Sequence, residues 1–136
     1  MTAMLPIEVI GPEKAPYAYV VRCEFSPART TFVTPDTLNQ QLGFIVYGAG
    51  TQIPRHRHLQ VARSIEGTTE VILVKQGRCI ADIFDQEGRP VDSVELRVGD
   101  IIVLSRGGHG FRIVEDTVLI EVKQGPYSQV VDKERF

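Results

Sequence analysis

The sequence predicts an all-β domain, a sandwich or a barrel, on three observations. Ten of the twelve glycines fall between Gly43 and Gly110 and separate short apolar segments at intervals of about ten residues. Several segments alternate apolar and polar residues with the period of two that places one face of a strand in a core. The 3.6-residue apolar period of an amphipathic helix is not evident. A length of 136 residues with 43% hydrophobic and 24% charged residues is typical of one soluble domain.

The strands follow one another along the chain. The first, residues 17–25, places Val21 and Cys23 on a buried face and Arg22 and Glu24 on a solvent face. Further strands are predicted at residues 30–33, 42–47, 53–58, 70–75, 79–84, 93–97, 100–104, 111–114 and 118–122.

Turn chemistry separates these strands. Residues 85–89 predict a hairpin loop in which Gly88 supplies the positive φ that other residues avoid, and Gly99 marks a second tight turn. Residues 34–39 could start one short helix, with Thr34 or Asp36 as its cap.

Some strands, such as residues 71–74 and 118–120, are apolar on both faces. Their outer face must therefore be covered by another layer, by the N-terminal strands or by a second subunit. We expect one domain over residues 1–136, with its core at about 40–125. The N-terminal strands, residues 1–35, would pack on that core or on the partner of a homodimer.

Composition excludes several classes of partner. Fifteen Lys and Arg against seventeen Asp and Glu give a formal charge of −2, which lacks the basic footprint of nucleic-acid binding. Apolar runs such as residues 101–104 are far shorter than the roughly 20 residues of a membrane helix. The N-terminus shows no secretory signal pattern, so we expect a cytoplasmic protein. Cys23 and Cys79 are predicted to be small buried hydrophobes rather than a disulfide or a metal site.

All three histidines lie between residues 56 and 109. His56 and His58 stand two residues apart, so an extended segment points both imidazoles to one face. Alone, such a pair could equally be accidental. Glu70, however, shares a strand face with apolar residues, and a carboxylate there needs a partner such as a divalent cation. His109, in a glycine-rich turn after a buried strand, can reach the same cavity.

These residues carry a family resemblance. Two stretches resemble the two motifs of the cupin superfamily: Gly50-x5-His56-x-His58-x11-Glu70-x6-Gly77 and Gly99-Asp100-x4-Ser105-x-Gly107-x-His109. The resemblance implies an antiparallel double-stranded β-helix, or jelly-roll barrel. Residues 120–127 are also similar to small cupins associated with polysaccharide biosynthesis, which implies a setting of carbohydrate biosynthesis.

The resemblance further implies one divalent metal ion held by His56, His58, Glu70 and His109. Glu66 is a rival to Glu70 because eleven residues separate His58 from Glu70. Only Glu70 keeps the six-residue spacing to Gly77, so it is the preferred acidic ligand.

Three imidazoles and one carboxylate suit Fe, Mn, Ni, Co or Zn, and the sequence does not choose among them. A metal with open positions would act on a small oxygen-rich molecule such as a sugar derivative, in an isomerase- or epimerase-like or a dioxygenase-like reaction. Alternatives are a structural zinc site, a non-catalytic ligand-binding module and a vestigial site. No catalytic residue is assigned, and the candidates for substrate binding are Tyr47, Arg63, Glu66 and Arg112.

Overall fold

The computed structural model describes residues 6–127 and 132–136, and within these ranges the chain forms antiparallel strands and no helix. The prediction of an all-β fold is confirmed. The strands are β1 (Ile7–Ile10), β2 (Ala18–Val21), β3 (Thr31–Phe32), β4 (Gly43–Phe44), β5 (Glu70–Gln76), β6 (Arg78–Phe84), β7 (Pro90–Arg97), β8 (Ile101–Leu104), β9 (Gly108–Ile113) and β10 (Val118–Lys123).

Two sheets enclose the core. The larger has the order β1-β2-β8-β5-β10 and the smaller the order β7-β6-β9, while β3 and β4 form a separate hairpin. Strand β6 alternates regularly, with Cys79, Ala81 and Ile83 buried. These side chains pack against Ile72 and Ile102 of the larger sheet. The hydrophobic effect of this shared interior holds the two sheets face to face.

The two sheets do not close into a barrel. On one side the guanidinium group of Arg22, which follows β2, donates a hydrogen bond of 2.6 Å to the carbonyl of Glu95 on β7. On the other side the edge strands β9 and β10 border an open cleft. The closed barrel expected from the sequence is therefore wrong for the single chain, because residues 53–58 form no strand in either sheet.

Three other predictions also needed correction in the N-terminal half. Strands 30–33 and 42–47 shrink to the two-residue strands β3 and β4. Residues 34–39 form turns rather than a helix, and the Gln41 amide donates hydrogen bonds to the carbonyls of Pro35 and Leu38. The side chain thus satisfies carbonyls that a longer helix would satisfy with its own backbone.

Strand β2 departs from the predicted alternation. It lies between β1 and β8, and all four of its residues are buried because both of its faces are covered. Arg22 is buried too, and its guanidinium group lies 2.9 Å from the carboxylate of Asp100. Cys23 is exposed, contrary to prediction, whereas Cys79 is buried as expected, and both cysteines are free.

The predicted turns are confirmed. Gly88 has a φ of 82°, and Gly99 a φ of 89°. Both conformations are strained for a residue that carries a Cβ. The Asp85 carboxylate accepts hydrogen bonds from the backbone N–H groups of Glu87 and Arg89 and so fixes the hairpin between β6 and β7.

The N-terminal strands belong to the core sheet, since β1 pairs with β2 and β2 with β8. Residues 1–5 of the predicted N-terminal segment and residues 128–131 of the predicted domain lie outside the described residues. No helix in the described ranges is long and apolar enough to cross a membrane.

Candidate functional site

A cleft with a volume of about 1320 Å³ opens between the two sheets on the side of β9 and β10. Its walls combine apolar side chains, such as Ile72 and Phe111, with acidic, basic and imidazole groups, among them Glu70, His109 and Glu121. Predominantly apolar clefts with a few converging polar groups are the usual form of small-molecule sites.

Glu70 and His109 meet inside this cleft. Glu70 opens β5 on the face that carries the buried Ile72 and Val74, as the alternation predicted. His109 lies on β9 opposite Ile83, which turns its imidazole to the same interior. The Nε2 atom of His109 is 3.2 Å from the Oε2 atom of Glu70.

The pair is partly shielded from water, with side-chain exposures of 17% for Glu70 and 31% for His109. The hydrogen bond with His109 holds the pKa of Glu70 below its ordinary value, against the opposing effect of burial. Glu70 is therefore a carboxylate at neutral pH, the form that binds a cation.

Sequence reasoning did not identify Glu121 and Lys123 of β10. Glu121 lies within hydrogen-bonding reach of Glu70, and its Oε2 atom is 3.9 Å from Nζ of Lys123. Both side chains line the cleft together with Leu119. The signal was available, because residues 119, 121 and 123 alternate along one strand face, but only the pairing of β10 with β5 brings that face to Glu70.

His56 and His58 lie elsewhere. They belong to a segment of residues 47–68, here called the arm, which is exposed throughout and contains no strand. The two imidazole rings face each other edge to face, with centroids 5.3 Å apart. His56 Nδ1 is 3.0 Å from the carbonyl oxygen of Pro54. Because a carbonyl only accepts hydrogen bonds, this contact places a proton on Nδ1, which makes Nε2 the ring nitrogen that could bind a metal ion.

The single chain thus brings together two of the four predicted ligands, Glu70 and His109. No three of the four ligand groups lie close to one another, although all four belong to the described residues. The rival ligand Glu66 is exposed on the arm, as are Tyr47 and Arg63. None of these three side chains lines the cleft.

Arg112 is on the other face of its strand from His109. Its guanidinium group binds the carboxylate of Asp82 through two hydrogen bonds of 2.8 Å, and the Ser93 hydroxyl donates a third. The structure therefore places Arg112 in a cross-strand ion pair outside the cleft and not among the substrate-binding groups.

This ion pair supports a titration prediction. Hydrogen bonds from Arg112 and Ser93 lower the pKa of Asp82 to about 2. A carboxylate whose pKa is lower in the folded state stabilises the fold above its unfolded pKa, and that stabilisation disappears as the pH falls from about 4 towards 2. In a carbon-detected NMR titration we expect the Asp82 carboxyl to titrate near pH 2, and Arg112→Gln to raise that pKa towards its ordinary value. An Asp82 pKa that Arg112→Gln leaves unchanged would contradict the assigned cause.

One cluster of ligand-type residues was not predicted. Cys23, Glu24 and Asp100 have ligand atoms within 4.8 Å of one another. Ordinary bonding accounts for the cluster. The Asp100 carboxylate accepts hydrogen bonds from Arg22 and from two backbone N–H groups, and Glu24 pairs with Arg97 at 3.0 Å.

Comparison of the chain with protein-family models, with curated proteins and with solved structures finds no match. Its function must therefore be inferred from the side chains of the cleft and the arm.

Proposed function

We propose that this chain is a metal-dependent protein of the cupin type. It binds one divalent transition metal ion through His56, His58, Glu70 and His109, and its cleft accepts a small oxygen-rich molecule such as a sugar derivative. The observation that carries the proposal is the pair formed by Glu70 and His109, an anionic and an imidazole donor 3.2 Å apart inside the cleft.

The geometry of this pair fits a metal ion. Two donors bound to one ion at about 2.0–2.2 Å are separated by roughly 3 Å, close to the separation of the two atoms here. Imidazole and carboxylate together suit Fe, Mn, Ni, Co or Zn. A bound ion of this kind supplies Lewis acidity that polarises a carbonyl or hydroxyl oxygen.

The remaining cleft residues favour proton transfer within a sugar derivative. Glu121 places a carboxylate beside Glu70, where its Oε atoms can take the proton from a hydroxyl-bearing carbon next to a carbonyl group. Return of that proton to the former carbonyl carbon, with the hydroxyl proton passing to the former carbonyl oxygen, gives an isomerisation, and return to the opposite face of the same carbon gives an epimerisation. Lys123 offers an ammonium group to an anionic or hydroxyl-bearing substituent. Leu104, Phe111 and Leu119 form apolar walls beside these charged groups. The proposed reaction is therefore an isomerisation or epimerisation.

Metal binding is tested by titrating the chelator-treated protein with Co²⁺ in a calorimeter. We expect Glu70→Gln to weaken Co²⁺ binding at least about 100-fold, because it removes the anionic ligand. Removing a group that only orients a ligand weakens metal binding about 10- to 100-fold, and the loss of a direct ligand should be at least as large. The matched control is Glu66→Gln, which removes the rival carboxylate from the exposed arm and is expected to leave binding unchanged. Equal binding by the Glu70→Gln protein, or loss of binding in the control alone, would refute the ligand assignment.

Catalysis is tested with aldose and ketose derivatives in D₂O. Proton transfer at carbon exchanges with solvent, so an isomerase incorporates deuterium next to the carbonyl without consuming dioxygen, and Glu121→Gln suppresses the incorporation. Product formation that requires dioxygen would instead indicate an oxidation. Thermal stabilisation by the sugar without deuterium incorporation would indicate a binding module.

A further inference from the structure

The arm, residues 47–68, exposes apolar side chains of the kind that protein–protein interfaces bury. Its large apolar side chains are exposed, among them Leu59 at 81% and Val61 at 60%. No hydrogen bond or ion pair of the described residues ties the arm to another segment. Exposed apolar side chains of this size are unfavourable in water unless another surface covers them.

The total surface supports this interpretation. The accessible surface is 10501 Å². A compact monomer of 15.2 kDa exposes about 7,100 Å², so the chain has an excess of roughly 3,400 Å². Burying only a third of that excess on each of two copies would remove more than about 2,000 Å² from water, which is the size of a stable homodimer interface.

The cleft offers the complementary surface. Its two borders, β9 and β10, are edge strands of their sheets, and within the described residues no further strand pairs with their outer edges. Residues 132–136 also line the cleft, with Phe136 beside Gly108 of β9. Strand β10 also exposes an apolar row on its outer face, with Val118 at 45%, Ile120 at 43% and Val122 at 53%. Edge strands of this kind accept a further strand.

Charge favours the same pairing. The arm contains three arginines, two histidines and one acidic residue, Glu66. The cleft is lined by six acidic side chains, Glu70 and Glu121 among them, and by four basic ones. A cationic arm and an anionic cleft attract each other over long range, which speeds their encounter.

We infer that the arm of one copy docks in the cleft of a second copy and pairs with the free edge of β9, so that each site contains Glu70 and His109 of one chain and His56 and His58 of the other. The metal-binding part of this inference rests on the proposed function, whereas the docking of the arm does not. Of the chain's own arm only the last residue, Thr68, lines its cleft, so His56 and His58 lie outside it.

The geometry of a sheet explains how the histidines reach the site. Adjacent strands lie about 4.8 Å apart, and side chains two residues apart point to one face. A strand formed by residues 53–58 beside β9 would therefore present both imidazoles next to His109. Both ends of the arm join the same chain, so His56 and His58, midway along it, can reach up to about 35 Å from that chain, enough to enter the cleft of a neighbouring copy. In a dimer with a twofold axis each arm docks in the cleft of the other subunit, so both arms are covered.

Complementation of metal binding tests the shared site. One chain carries His56→Ala and His58→Ala, a second carries Glu70→Gln, and the two are co-expressed with different tags so that the heterodimer can be isolated. Shared sites predict one Co²⁺ per heterodimer, two per parent dimer and none in either variant alone, measured by elemental analysis. Sites built within one chain predict none in the heterodimer.

For a second heterodimer the two models predict the opposite Co²⁺ contents. Parent chain is paired with a chain carrying His56→Ala, His58→Ala and Glu70→Gln together. Shared sites predict no Co²⁺, because each site then lacks a ligand, whereas sites within one chain predict one Co²⁺. That result would overturn the inference.

A measurement without metal separates this inference from the proposed function. A benzophenone amino acid in place of Leu59 is activated by light at micromolar protein concentration. Docking in the second copy gives a denaturation-resistant species of twice the 15.2 kDa chain mass, with the cross-link in β9 or β10. Cross-links within one chain, or a parent protein that is monomeric by light scattering, would refute the docking even if Co²⁺ binds. A cross-linked dimer that binds no Co²⁺ would refute the proposed function alone.

Discussion

Replacing Asp100 by asparagine is expected to lower the free energy of unfolding by about 3 kcal/mol, because it removes the fully buried carboxylate that pairs with Arg22. The loss stays at the lower end for a broken buried pair, since the Glu8 carboxylate, 2.9 Å from Arg22, remains as a counter-charge. The Asp100 side chain is fully buried, and that of Arg22 is 6% exposed. One carboxylate oxygen accepts hydrogen bonds from Arg22 and from the backbone N–H of Arg97, and the other accepts one from the N–H of Cys23. Asparagine keeps the volume but turns an NH₂ group towards these donors.

Urea denaturation at one fixed protein concentration measures this loss. Glu24→Gln is the matched control, since Glu24 is an exposed carboxylate whose solvent-screened ion pair with Arg97 contributes little to stability. An Asp100→Asn protein as stable as the control would show that the charge of Asp100 contributes little.

The second large effect concerns the histidines of the arm. Replacing both His56 and His58 by alanine is expected to weaken Co²⁺ binding at least about 100-fold, since loss of two direct ligands must exceed the 10- to 100-fold loss caused by removing an orienting group. The stability of the metal-free protein should change by less than about 0.5 kcal/mol for each substitution, because both side chains are exposed.

The control for this pair lies on the same segment. Arg55 and Arg57 alternate with the histidines and point to the opposite face of an extended chain. Arg55→Lys with Arg57→Lys retains the charge and is expected to leave Co²⁺ affinity within about threefold, well short of the tenfold step that corresponds to 1.4 kcal/mol. Unchanged affinity in the double histidine variant would exclude both histidines from the site.

The C-terminal half of the fold was predictable because its signals are local. The predicted strands 70–75 and 79–84 agree within one residue with β5 and β6, since apolar patterning and an intervening glycine suffice to mark the bounds of two consecutive strands. The inward direction of Glu70 followed from the same alternation. Sequence did not reveal that Arg22 pairs with Asp100, 78 positions away, because only the packing of β2 against β8 makes them neighbours.

The arm shows a different limit. Alternation in residues 53–58 predicted a strand, and the structure shows none there, because a strand also requires a neighbour, which local sequence does not specify. Arg112 is a similar case. The sequence shows that residue 112 is an arginine, but its partner depends on the register of β9 on β6. In that register Arg112 faces Asp82 rather than the cleft.

Both ends of the arm are fastened to the folded body. At one end the Thr30 hydroxyl bonds to the backbone N–H of Val46, and at the other the Gln124 side chain accepts a hydrogen bond from the N–H of Thr69. The arm is therefore a closed loop and not a loose end. When each arm is docked in the other subunit, the dimer can dissociate only if both arms leave their clefts together. We therefore expect subunits to exchange between dimers slowly. Mixed dimers should then form readily during synthesis and sparingly from dimers that are already folded.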